Sequence, residues 1–160
     1  MHDIALIALY EGLRANEILS LRWDDINWQA NYLAIMNTKN GIDRMQPLHP
    51  QIKEILLRRR TAESSGYVFK SRNGEKIAEV SSTFSRVVNA LGFNKGITEN
   101  KQKIVFHTLR HTYASWLVMN GVDLYTTQKL LGHKSNQMTQ RYAHLAPGHL
   151  ERAVNTLKSI

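Results

Sequence analysis

The amino-terminal stretch is apolar at six consecutive positions, Ile4, Ala5, Leu6, Ile7, Ala8 and Leu9, and has no polar face. A helix that is apolar all round belongs in a core. The run therefore predicts a buried helix over Asp3–Leu13, with Asp3 as its N-cap and Gly12 punctuating its end. It falls far short of the ~20 residues a membrane-spanning helix needs, and it lacks the basic segment and cleavage site of a secretion signal. A second, short helix over Asn16–Leu21, capped by Asn16, offers Ile18, Leu19 and Leu21 to the core. Trp23–Asp24–Asp25 then turns the chain.

Tyr32–Thr38 and Ile42–Leu48 read as strands flanking Asn40–Gly41, a dipeptide that suits a type I′ hairpin because both central residues need positive φ. Pro50–Arg60 reads as a helix with proline in its first turn, and Tyr67–Phe69 as a third short strand. Apolar positions recur at helical spacing over Val80–Leu91, stopped by Gly92. The polar, basic stretch Asn94–Lys103 reads as a loop. Helices follow over Phe106–Asn120, closed by Gly121, and over Asp123–Leu131, capped by Asp123 and ended by Gly132. Ser135 can cap a further helix to about His144, and Gly148–Ser159 carries an apolar stripe of Leu150, Val154 and Leu157. The fold class is thus α+β, mostly α-helical with one small antiparallel sheet, and there is no internal repeat.

The 160 residues are 42% hydrophobic, which suits one globular domain and argues against wholesale disorder. A formal net charge of +8 changes the picture more, since it favours a polyanionic partner, nucleic acid first and an anionic membrane surface second. The chain has no cysteine, which excludes disulfides, thiolate catalysis and Cys-type zinc sites and fits a reducing, cytoplasmic setting.

Several polar residues could carry chemistry. His107 and Arg110 are three apart at a predicted helix start, where unpaired amides and the helix dipole favour an anion. An isolated His-x-x-Arg is most often a solvated basic face. His107 and His111 are four apart, a spacing that can bind zinc, but Thr108 stands where the zinc motif has glutamate and no third ligand is evident. Arg14 ends an apolar segment and needs an anionic or carbonyl partner, for which Glu17 is the nearest choice. Lys39 sits before the predicted hairpin tip; hairpin lysines are usually solubilising, yet an ammonium can give up a proton, which arginine does not do at useful pH. His133 follows Leu131–Gly132, and Tyr142 follows Arg141. A lone tyrosine there is ordinarily a packing residue, and as a nucleophile it needs help, because a phenol with pKa near 10 is only about 0.1% ionised at neutral pH.

In this order and spacing the residues resemble the tyrosine recombinase (phage integrase) family. The likeness runs through Gly12–Leu13–Arg14–x–x–Glu17, Leu21–Arg22–Trp23, Thr38–Lys39–Asn40–Gly41, His107–x–Leu109–Arg110–His111, Leu131–Gly132–His133 and Arg141–Tyr142. The resemblance implies that family's catalytic, DNA breaking-rejoining fold over residues 1–160 as a single domain, without the family's amino-terminal DNA-binding domain. It implies that Arg14 and Arg110 clamp a scissile phosphate, Lys39 protonates the departing 5′-oxygen, His107 acts on the nucleophile's proton, and His133 holds the phosphate. Tyr142 would attack to give a 3′-phosphotyrosyl bond, with religation needing neither ATP nor a metal or other cofactor. The implied partner is double-stranded DNA, with a tetramer assembled on it through the carboxy-terminal tail and a monomer when free. One departure is Glu11, which stands where a small hydroxyl residue commonly precedes Gly–Leu–Arg; little effect is expected of it. A relaxing topoisomerase and an inactive DNA-binding module are the competing readings.

Overall fold

The computed structural model describes residues 1–36, 41, 43–62, 64–146 and 154–155. The apolar run forms α1 (His2–Glu11), which starts a residue earlier than predicted, with Met1 rather than Asp3 at its N-cap. Asp3 instead sits in the first turn, where a carboxylate suits the helix dipole, and pairs with Arg59 at 2.9 Å. Gly12 ends α1 in the left-handed region at φ 63°. The next helix, α2 (Ala15–Ser20), is capped at Arg14, not at Asn16; Asn16 accepts a hydrogen bond from Lys76 instead.

Three strands make an antiparallel sheet in the order β1 (Ile26–Asn27), β2 (Tyr32–Ile35), β3 (Arg44–Pro47). The first of these is not evident in the sequence. Tyr67–Phe69 is not a strand: Tyr67 makes only an isolated bridge to Arg22. Within β2–β3, Leu33 faces Gln46 and Ile35 faces Arg44. An unbroken ladder to a two-residue Asn40–Gly41 turn would set Ile35 opposite Gln46, so the described register is not that of the predicted tight hairpin. Gly41 does have positive φ, at 64°; Asn40 lies outside the described residues.

The contacts fall into two compact units, Met1–Tyr113 and Ala114–Ile160. In the first, α1 packs on α2 and on α3 (Pro50–Arg59). Its core includes Ile7, Leu13, Ile18, Leu33, Ile52 and Leu56, all essentially inaccessible. Each such side chain contributes roughly 2 kcal/mol by leaving water. The amphipathic α4 (Thr83–Ala90) is shorter than the pattern suggested, and α5 (Thr108–Met119) begins in this unit. In the second, α6 (Leu124–Leu131) is capped by Asp123, whose carboxylate accepts from the Thr126 amide at 2.9 Å, and it packs with α7 (Gln137–Gln140). The helix predicted from Ser135 to His144 is only those four residues, followed by a turn at Tyr142 and a 3-10 helix over Ala143–Leu145. Most of the predicted Gly148–Ser159 helix lies outside the described residues; Val154 and Asn155 are helical.

Candidate active site

In the first unit the site grows from the turn that follows α1. Gly12 allows the chain to reverse sharply, Leu13 is buried in the core, and Arg14 takes an extended backbone before α2. Gly12 is required twice over, because a Cβ there would lie 2.2 Å from the Tyr113 ring. Gly12→Ala combines left-handed strain with overpacking, and we expect it to cost about 2–4 kcal/mol in denaturant unfolding.

Glu17 organises the two cations beside this turn. Its carboxylate accepts from the Arg14 amide at 2.9 Å and from Arg14 Nη1 at 2.8 Å. It also accepts from Arg44 Nη2 at 2.9 Å, across from β3. Burial by itself would raise the Glu17 pKa, but the hydrogen bond and charge of Arg44, with the hydrogen bonds of Arg14, outweigh it and hold the carboxyl below its ordinary value. The Arg14 side chain keeps 24% of its surface exposed and lines an open cleft of about 540 Å³ with Asn16, Arg22 and Tyr67.

Arg110 reaches the same turn from α5. Its Nη1 donates to the Gly12 carbonyl at 2.6 Å, and the side chain is almost wholly buried. Two residues of chain separate Gly12 from Arg14, at most about 7 Å of backbone. The first unit thus brings together the two arginines that lie far apart in sequence. His107 precedes α5: Arg110 and His111 amides bond back to its carbonyl, and its ring meets that of His111 edge-on at 4.8 Å. His107 is exposed where Arg110 is buried. Lys39 lies outside the described residues.

In the second unit His133 and Tyr142 are linked through one residue that the sequence did not single out. Gly132 caps α6 in the left-handed region at φ 59°, and the His133 amide bonds back to the Gln128 carbonyl. Thr139 is buried; its hydroxyl lies 2.9 Å from His133 Nδ1, while its carbonyl accepts from the Tyr142 amide at 3.0 Å. The imidazole's orientation and the start of the Tyr142 turn therefore share a support. Tyr142 itself is buried, at 6% exposure. Thr139→Val keeps the shape and removes that hydroxyl; we expect a loss of about 1–2 kcal/mol in thermal unfolding, largely recovered by Thr139→Ser.

Arg44, Gln46, Tyr113 and Thr139 were all missed by the sequence reading. Arg44 and Gln46 had a faint signal, since they alternate on one face of a strand. Gln46 Nε2 donates to the Glu11 carbonyl at 3.2 Å and to Tyr113 Oη at 3.3 Å. Burial, foremost, pushes the Tyr113 phenol up to about 12. Among the described residues no group of three or more histidines and carboxylates could hold a metal ion, and no helix is long and apolar enough to cross a membrane.

The model of the phage integrase family matches residues 2–149. The tyrosine recombinase XerA of Pyrococcus furiosus is 36% identical over 158 residues, covering 94% of this chain and 52% of that protein. The tyrosine recombinase XerC of Pediococcus pentosaceus is 30% identical over 161 residues, covering 96% of this chain and 53% of its own. Among solved structures, the catalytic domain of bacteriophage HP1 integrase superposes with a TM-score of 0.70 at 29% identity, over 96% of this chain and 79% of that one. The chain spans about half the length of the curated relatives it matches.

Proposed function

The chain belongs to the phage integrase family, and on that premise we propose that it is the catalytic part of a site-specific DNA recombinase. The observation that supports this most is the meeting of Arg110 with the Gly12 carbonyl, two residues from an Arg14 oriented by Glu17. Two arginines meeting at one turn suit a tetrahedral oxyanion with two non-bridging oxygens, and a phosphodiester is the group a strongly basic chain would meet on DNA.

On this reading the Tyr142 oxygen attacks the scissile phosphorus as His107 takes its proton. The bond to the 5′-oxygen breaks, Lys39 supplies that oxygen with a proton, and a 3′-phosphotyrosyl link remains. A 5′-hydroxyl from the other duplex then reverses the step, so the phosphoester bond energy is conserved and no ATP is consumed. Arg14, Arg110 and His133 hold the non-bridging oxygens as negative charge gathers on them; losing one such preorganised donor costs on the order of 3 kcal/mol, about a hundredfold in rate. Residues 1–160 act as one catalytic domain, working as a tetramer on double-stranded DNA joined through the carboxy-terminal tail.

The test is covalent capture. The protein is incubated with a pool of nicked duplexes of randomised sequence, the adduct is digested, and the modified peptide is identified by mass spectrometry. DNA attached at Tyr142 is the expected result; attachment elsewhere, or binding without attachment, would leave a DNA-binding module in place of an enzyme.

A further inference from the structure

Glu11 is a buried carboxyl group in the first unit. It ends α1 immediately before Gly12 and is 1% exposed, a place where an ionised carboxylate without a cation is expensive. Its Oε1 accepts from the His49 amide at 2.7 Å, and Gln46 bonds to its backbone carbonyl. No arginine or lysine is among its described partners, although Arg44 and Arg110 both lie near enough to act on Tyr113. Next to it, Gln46 Oε1 is buried without any hydrogen-bond partner. An acceptor left so in a dry core calls for a donor, and a protonated Glu11 has an O–H to give where a carboxylate has none.

The same residues underlie the arginine clamp. Gln46 Nε2 ties the Glu11 carbonyl to Tyr113 Oη, the Tyr113 ring lies against Gly12, and the Gly12 carbonyl holds Arg110 Nη1. Each link is a contact in a packed interior, where a shift of a few tenths of an ångström is passed on.

We propose that Glu11 is a positioning residue that works as a neutral carboxylic acid, fixing Gln46, Tyr113 and the Gly12 carbonyl beneath Arg110, so that its ionisation loosens the phosphate clamp. The role of Arg110 here rests on the function proposed above. Burial, the largest cause, pushes the Glu11 carboxyl up to about 8, against which the His49 amide and Gln46 pull only partly. The clamp is then intact at neutral pH and weakens as pH climbs past that value. The other ionisable groups described around it are Tyr113, already held near 12, the two arginines, which stay charged, and His49, whose ring lies tilted against Tyr10 at 4.9 Å. His49 is present in both proteins compared below, so that comparison separates it from Glu11.

The experiment compares wild type with Glu11→Gln, which keeps an acceptor for the His49 amide and a donor for Gln46 but cannot ionise. The folded state retains a proton that the unfolded chain releases near 4.5, so wild-type stability should fall relative to Glu11→Gln as pH rises from about 4.5 to about 8, then run parallel to it. In a heteronuclear NMR titration, the Arg110 side-chain signals, assigned through Arg110→Lys, should shift with a midpoint near 8 in wild type and stay still in Glu11→Gln. Covalent capture on the nicked pool should fall about tenfold more in wild type than in Glu11→Gln between pH 7 and 9. Parallel stability curves, an Arg110 signal that moves alike in both proteins, or a Glu11→Gln protein that fails to fold at neutral pH would each overturn the proposal. Absence of capture from both proteins at every pH would count against the recombinase reading alone, because the unfolding and NMR readouts need no DNA.

Discussion

Tyr142→Phe abolishes covalent capture of DNA while leaving the fold in place. The ring is buried in the second unit, and phenylalanine fills that volume without the hydroxyl. The cost to stability is no more than that of one hydrogen bond, about 1 kcal/mol. The cost to chemistry is the bond-forming atom itself, for which no neighbouring group substitutes, so adduct yield should fall by more than about a thousandfold. Tyr113 provides the internal control. Its phenol accepts from Gln46 and is held near 12, mainly by burial, which makes it a poor nucleophile even beside the arginines. If a Tyr142→Phe protein still forms an adduct on the nicked pool, and the adduct maps to Tyr113 or any other residue, the assignment of the attacking group is wrong.

Glu17→Ala should bring the largest loss of stability. The Arg44 side chain is 7% exposed, and removing the carboxylate strips a buried guanidinium of its counter-charge. Breaking a buried pair from one side costs about 3–5 kcal/mol. That is a large share of the 5–15 kcal/mol that typically holds a domain, and it should lower the melting temperature by roughly 10 °C. Glu17→Gln, which keeps hydrogen bonds and gives up charge, should fall between. The sign with pH follows from the lowered carboxyl. Its contribution is present above the ordinary value of 4.5 and fades as pH drops through the lower folded value, so the stability gap between wild type and Glu17→Ala narrows in acid. A gap that is constant from pH 3 to pH 7 would mean that Glu17 is not held by these arginines. Arg14 loses its orientation too, so capture should fall further than stability alone predicts.

Local rules carried much of the reading and failed where the interior is polar. The run Ile4–Leu9 reads as buried whatever it packs on, because no rotation of that helix offers a polar face. Gly12 and Gly132 read as stops because left-handed backbone favours glycine. The strand Arg44–Pro47 inverts the usual pattern: Met45 is 55% exposed while Gln46 is 1%. Alternation therefore points the wrong side chains inward, and neither Arg44 nor Gln46 stood out. Their burial is tolerated because Glu17 and Glu11 wait for them on other elements. Glu11 was expected to matter little, since a single exchange before Gly–Leu–Arg carries no sign that Gln46 and Tyr113 surround it.

What the chain determines by itself is the helical α+β class, the glycine stops after Glu11 and Leu131 and the order of six polar residues, because periodicity, glycine conformation and motif spacing are read along the backbone. What only the tertiary structure decided is which of those side chains share a partner. Arg110 meets the turn before Arg14 through a carbonyl 98 positions away, and Arg44 meets Glu17 across 27. A buried charge is stable only where its counterpart arrives from elsewhere in the fold, and that arrival is set by packing geometry, which no local window contains.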